Sequence, residues 1–95
     1  MSLNQRKNRK FDNVPGEIDL HGLTVDEALP RLDEFLHAAY QAGYYQVYII
    51  HGKGSGILRR EVGRYLSGHS LVRSHQLADK HHGSDGATQV LLSDR

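Results

Sequence analysis

The sequence predicts one α/β domain: a two-layer sandwich of order βαβαββ, with a four-stranded mixed sheet and two helices. Three observations lead there. Short apolar runs rich in β-branched and aromatic residues alternate with stretches whose apolar residues recur every three or four positions. Helix-start and glycine-stop signals separate them. At 95 residues the chain has material for one modest core.

The elements follow in order. Glu17 to His21 reads as a short strand with Ile18 and Leu20 on one face and Asp19 and His21 on the other. Thr24-Val25-Asp26-Glu27 fits a capping box, and Val25, Leu29, Leu32, Leu36 and Ala39 then recur at helical spacing, predicting a helix from about 25 to 42 that Gly43 stops. Pro30 lies inside it and removes one backbone donor, so a kink or a tightened first turn is expected. Tyr45 to Ile50 is apolar on nearly every residue, which predicts a strand in the sheet centre covered on both faces, with Tyr44, Tyr45 and Tyr48 in the core. Leu58, Val62, Tyr65 and Leu66 mark a short second helix ending at Gly68. Leu71 to Leu77 and Ala87 to Leu92 form a final antiparallel pair around a polar segment.

Composition excludes several function classes. No cysteine is present, so there is no disulfide framework, thiolate metal site or cysteine nucleophile, which fits a reducing cytoplasmic setting. Apolar runs are far shorter than the roughly 20 residues that cross a bilayer, so no membrane partner is expected. Net charge is only +1, but Arg6, Lys7, Arg9 and Lys10 face the single acid Asp12 within the first thirteen residues. This divides the chain into a basic, disordered tail over 1–13 and a slightly acidic domain over 14–95. Such a tail either adds salt-sensitive phosphate contacts or is a bland leader. No coiled-coil seam or dimer surface is legible, so a monomer is the default.

The most informative stretch is Ile49-Ile50-His51-Gly52-Lys53-Gly54-Ser55-Gly56-Ile57-Leu58-Arg59-Arg60, a glycine-rich turn between a strand and a helix. Glycines admit close backbone approach, and the free amides that open a helix attract anions. Lys53, Arg59 and Arg60 add charge and His51 a titratable group. The spacing matches neither a P-loop nor the GxGxxG fingerprint, which argues against nucleotide binding. Two strands joined through a helix run parallel and end on one sheet edge, so Asp19 and His21 should approach His51 and Lys53. His75, Asp79, His81 and His82 surround a polar loop without zinc-site spacing and read as solvated.

Ile18-Asp19-Leu20-His21-Gly22 with Glu27-Ala28, then His51-Gly52-Lys53-Gly54 with Gly56 and Leu58-Arg59, then Gly83-Ser84-Asp85-Gly86-Ala87-Thr88 resemble, in order, the three blocks of the Smr (small MutS-related) domain. The resemblance covers residues 17–92. It implies a two-layer α/β fold and occurrence either alone or at the end of a larger MutS-like protein. It also implies nicking endonuclease activity on DNA, in some members cleavage of RNA, with functional positions at Asp19, His21, His51 and Lys53. Ser84 departs from the third block by replacing its second glycine, which would strain the loop if that position needs positive φ.

These residues could cleave a phosphodiester. His51 is the expected acid/base group with His21 as second candidate, and Lys53 and the amides of Gly52, Gly54, Ser55 and Gly56 hold phosphate, joined by Arg59 and Arg60. Asp19 either orients a histidine or binds a divalent ion. One carboxylate is thin provision for Mg²⁺, so metal-assisted and metal-independent routes both stay open. The leading expectation is an endonuclease acting on DNA, including branched DNA, in repair and recombination control. The alternatives are an RNA-cleaving domain in ribosome quality control, a non-catalytic nucleic-acid-binding module, and a protein-interaction domain.

Overall fold

A computed structural model of the chain describes residues 16–79 and 84–94. The basic segment 1–13, His81 and His82 lie outside the described residues. The elements are β1 (Glu17–Asp19), α1 (Val25–Gln41), β2 (Gln46–Ile50), α2 (Ile57–Ser67), β3 (Val72–Leu77), a 3₁₀ turn (Ser84–Gly86) and β4 (Ala87–Leu92). The expected βαβαββ order is therefore observed.

The four strands form one mixed sheet of order β1-β2-β4-β3. β1 and β2 are parallel with Ile18 opposite Ile49, whereas β4 is antiparallel to both β2 and β3. β1 and β2 thus finish at one edge, and β4 starts there, because Ile50 pairs with Ala87.

α1 begins and ends as its residues dictate. Thr24 Oγ1 accepts the Glu27 amide at 3.2 Å while Glu27 Oε1 accepts the Thr24 amide at 3.0 Å, completing the capping box. At the other end the amides of Gly43 and Tyr44 donate to Tyr40 and Ala39 carbonyls at 3.1 Å, the paired bonds of a Schellman stop. The helix continues through Pro30 as one element, and Pro30 is exposed, so solvent serves the carbonyl that loses its donor.

Ala28, Leu32, Leu36 and Ala39 of α1 and Val62 and Leu66 of α2 meet Ile18, Leu20, Val47, Ile49, Val90 and Leu92 in a single buried cluster. Both helices therefore cover the same sheet face. That corrects the expectation for β2: only Val47 and Ile49 are buried, while Gln46 is exposed and Tyr48 and Ile50 are half-buried. With two helices in one layer, no helix among the described residues covers the other face. A polar lattice occupies it instead: Gln76 Nε2 donates to Gln89 Oε1 (3.0 Å), Gln89 Nε2 to Gln46 Oε1 (3.1 Å) and Gln46 Nε2 to the Tyr48 hydroxyl (3.2 Å). The tyrosines divide accordingly. Tyr44 packs on the core and Tyr48 lies on the open face, whereas Tyr45 is 69% exposed, because it precedes the strand.

Leu32 is wholly buried between α1 and the sheet. Leu32→Ala should lower unfolding free energy by about 2–5 kcal/mol, measured by urea denaturation, through lost burial and the cavity left behind. A loss below 1 kcal/mol would contradict a close-packed single core.

Candidate active site at the carboxyl ends of the first two strands

β1 delivers Asp19 and His21 to the edge. The Leu20 amide donates to the Ile50 carbonyl at 2.7 Å and its side chain is fully buried, which turns Asp19 and His21 outward. Asp19 Oδ1 accepts the His21 backbone N–H at 3.0 Å and lies 2.5 Å from His21 Nδ1. A carboxylate at Nδ1 selects the tautomer with its proton there and leaves the Nε2 lone pair available. The His21 side chain is 67% exposed, so that nitrogen is open to a ligand.

β2 delivers the glycine-rich turn. Gly52 has φ of +82°, and a Cβ placed on it would sit 3.2 Å from His21 Cβ. The two strand tips are therefore in contact, and a side chain at position 52 would be strained and would push His21 aside. The amides of His51 and Gly52 both donate to the Gly86 carbonyl, at 3.0 and 2.8 Å, which fastens the third sequence block onto the second.

His51 differs from His21. It is 4% exposed, its Nδ1 is 3.0 Å from the Gly52 carbonyl, and its Nε2 is 2.8 Å from Thr88 Oγ1. A carbonyl only accepts, so Nδ1 carries the proton and Nε2 accepts the Thr88 hydroxyl. Burial pushes the pKa of His51 below its ordinary value; Arg59 adds to this, while the Gly52 carbonyl and Asp85 oppose it. The ring is neutral, and both its nitrogens are already bonded.

The cations gather around one carboxylate. Lys53 Nζ and Arg59 Nη1 each lie 3.6 Å from Asp85, one on either oxygen. All three side chains are well exposed, so each pair contributes at most about 1 kcal/mol and exchanges readily with another anion. Arg59 reaches back over Gly56, where a Cβ would come within 3.1 Å of its guanidinium. Gly56 caps α2 in the left-handed conformation and has no side chain to close the cap; the Ile57 amide donates to Ser55 Oγ at 3.4 Å, and the amides that follow it open the helix toward the loop. Together these groups line a shallow depression of about 170 Å³, with Gly22 and Leu23 on one side and the 51–56 turn, Leu58 and Arg59 on the other.

The structure thus brings together Asp19, His21, His51, Gly52, Lys53, Gly54, Ser55, Gly56 and Arg59. Arg60 is not among them, because its Nε donates to Glu61 at 3.2 Å, away from the depression. Asp85 and Thr88 are site residues that the residue pattern did not single out, although both stand in the third block. Ser84 opens a right-handed 3₁₀ turn, a conformation open to any residue, so glycine is not required there.

Comparison with known proteins agrees with the fold. The sequence profile of the Smr domain matches residues 18–93. Among curated relatives, "Endonuclease MutS2" of Pelotomaculum thermopropionicum is 45% identical over 84 residues, covering 88% of this chain and 11% of that protein. The protein of the same name from Thermomicrobium roseum is 48% identical over 79 residues, covering 83% and 10%. The chain thus spans about a tenth of the length of these relatives. Among solved structures, the Smr domain of Thermus thermophilus MutS2 superposes with a TM-score of 0.80 at 38% identity, covering 82% of this chain and 98% of that one. YdaL, a stand-alone small MutS-related protein from Escherichia coli, gives 0.80 at 31% identity, covering 84% and 66%. On profile, sequence and fold alike, the chain belongs to the Smr domain family.

Proposed function

We propose that this domain is a nucleic-acid endonuclease in which His21, oriented by Asp19, moves the proton and the turn around Lys53 holds the scissile phosphate. The observation that carries this reading is the exposed Asp19–His21 pair packed against Gly52, one of the residues that line a cationic, glycine-rich depression. The relatives named endonucleases support the same class of activity.

In this reading a phosphodiester oxygen displaces Asp85 from Lys53 and Arg59 and takes the amides of the turn and of α2. His21 Nε2 accepts the proton of an attacking water, or of a 2′-hydroxyl in RNA, as the new P–O bond forms. The opposite P–O bond breaks, and the leaving oxygen takes its proton from water or the Lys53 ammonium. His51 serves as a scaffold: neutral and buried, it ties the turn to Thr88. A hard cation would find two carboxylates among the described residues of this edge, and both are engaged: Asp85 faces two cations and Asp19 is bonded to His21. That donor set does not make a carboxylate-rich Mg²⁺ site, so no step is routed through a metal.

DNA is the leading substrate, with RNA as the alternative. A second reading is a non-catalytic module that grips a phosphate backbone while another domain of a longer protein cuts. One observation favours it: the imidazole that lines the depression, His51, is buried, and of the two histidines at this edge only His21 is exposed.

Cleavage of supercoiled DNA, branched DNA and RNA, with and without EDTA, separates these readings. His21→Ala should lower turnover about 10²–10⁴-fold while leaving binding intact, and Asp19→Asn should lower it less. Wild-type turnover in His21→Ala would defeat the catalytic reading, and binding without cleavage by the wild type would select the module. Lys53→Ala should weaken binding and flatten its dependence on log salt by roughly 0.7–0.9. The scaffold role of His51 gives a pH signature. Because its folded pKa lies below the ordinary histidine value of about 6.5, the unfolded chain takes up a proton first; the stabilisation is complete above that value and is lost as pH falls toward the folded pKa. Urea denaturation between pH 7.5 and 5 should show this loss, and His51→Gln should reduce the slope. Thr88→Val should cost about 1–3 kcal/mol at neutral pH by leaving Nε2 unpaired.

A further inference from the structure

A second polar cluster lies where α1 passes the turn between α2 and β3, opposite the edge that holds the cationic depression. Asp33 and His37 stand one turn apart on α1, and His69 enters from beyond the end of α2, its side chain only 8% exposed. Asp33 Oδ1 is 2.8 Å from His69 Nε2 and 3.5 Å from His37 Nε2, and one donor atom from each residue lies within 4.8 Å of the others. A cavity of about 540 Å³ opens beside them, lined also by Tyr65 and Arg64.

We propose that Asp33, His37 and His69 form a binding site for one divalent transition metal of the zinc type. Donors held about 2.0–2.1 Å from a tetrahedral ion are roughly 3.3 Å apart; the two Asp33–histidine separations, 2.8 and 3.5 Å, bracket that value, and the two imidazoles lie within 4.8 Å of each other. Two imidazoles and one carboxylate suit Zn²⁺ or Co²⁺, whereas Mg²⁺ and Ca²⁺ prefer oxygen alone. The fourth position faces the cavity and takes water. Tyr65 supplies the outer support: its hydroxyl donates to Asp33 Oδ1 at 2.8 Å. Arg64, the cation on the cavity wall, is drawn to Glu61 at 3.6 Å.

Binding has a defined cost. His69 Nδ1 accepts the Leu71 amide at 3.1 Å, so the ion-free ring carries its proton on Nε2. A metal at Nε2 displaces that proton, the ring is then protonated at Nδ1, and the Leu71 amide loses its acceptor. One backbone hydrogen bond is exchanged for a metal–ligand bond. The ion clamps α1 to the α2–β3 turn and takes no part in the chemistry proposed at the other edge.

The test uses the full chain, free of affinity tag and stripped with EDTA, titrated with Co²⁺ and then Zn²⁺. Expected are one equivalent of Co²⁺ with the intense visible absorption of a tetrahedral site, its displacement by Zn²⁺, a rise in melting temperature with Zn²⁺, and a shift of the Leu71 amide resonance. His37 is exposed, so His37→Ala keeps the fold and should weaken Co²⁺ binding at least tenfold. Replacing His75, His81 and His82 together should leave binding unchanged. The proposal is overturned if Co²⁺ shows no saturable binding below millimolar concentration, or if His37→Ala binds as tightly as the wild type. Neither result bears on cleavage, which is read separately with His21→Ala.

Discussion

The buried hydrogen bond between His51 and Thr88, reinforced by the two amides that converge on the Gly86 carbonyl, is the constraint on which the site depends. It joins the end of β2 to the start of β4, the two central strands. Without it the glycine-rich turn would be a free loop. With it, Gly52 is held against His21, Lys53 lies beside Gly86, and α2 starts where its first amides face the depression. A neutral histidine suits this task because it offers one donor and one acceptor in a fixed plane, and burial keeps it neutral.

This edge is cationic although the chain is not strongly basic. The body of the protein is slightly acidic, yet Lys53, Arg59 and the start of α2 converge on one point. Asp85 compensates part of that charge through 3.6 Å pairs that are individually weak. The same economy governs the two histidine environments. Asp19 aligns a solvent-facing ring, whereas Asp33 gathers His69, His37 and Tyr65 into a knot between helices.

Much of this was legible in the residues. The capping box at Thr24, the stop at Gly43 and the periodicity of Leu32 and Leu36 specify α1, because each rests on contacts within a few residues. The parallel pairing of β1 and β2 follows from the helix between them, and it brought His21 against Gly52, the residue before Lys53. The open face of β2 was not legible. Tyr45 to Ile50 is apolar enough for either one covered face or two, and only the placement of both helices in one layer decides.

His21-Gly22 and His51-Gly52 look alike as sequence: each is a histidine after an apolar strand and before a glycine. Local residue types therefore determined the helices, the strands, the family blocks and the edge at which chemistry-bearing groups would meet. Tertiary structure alone decided which histidine is exposed, because that depends on Thr88, 37 positions away, closing over one ring and not the other. It likewise assembled Asp33, His37 and His69 across up to 36 positions, since proximity of that kind arises from packing rather than from spacing along the chain.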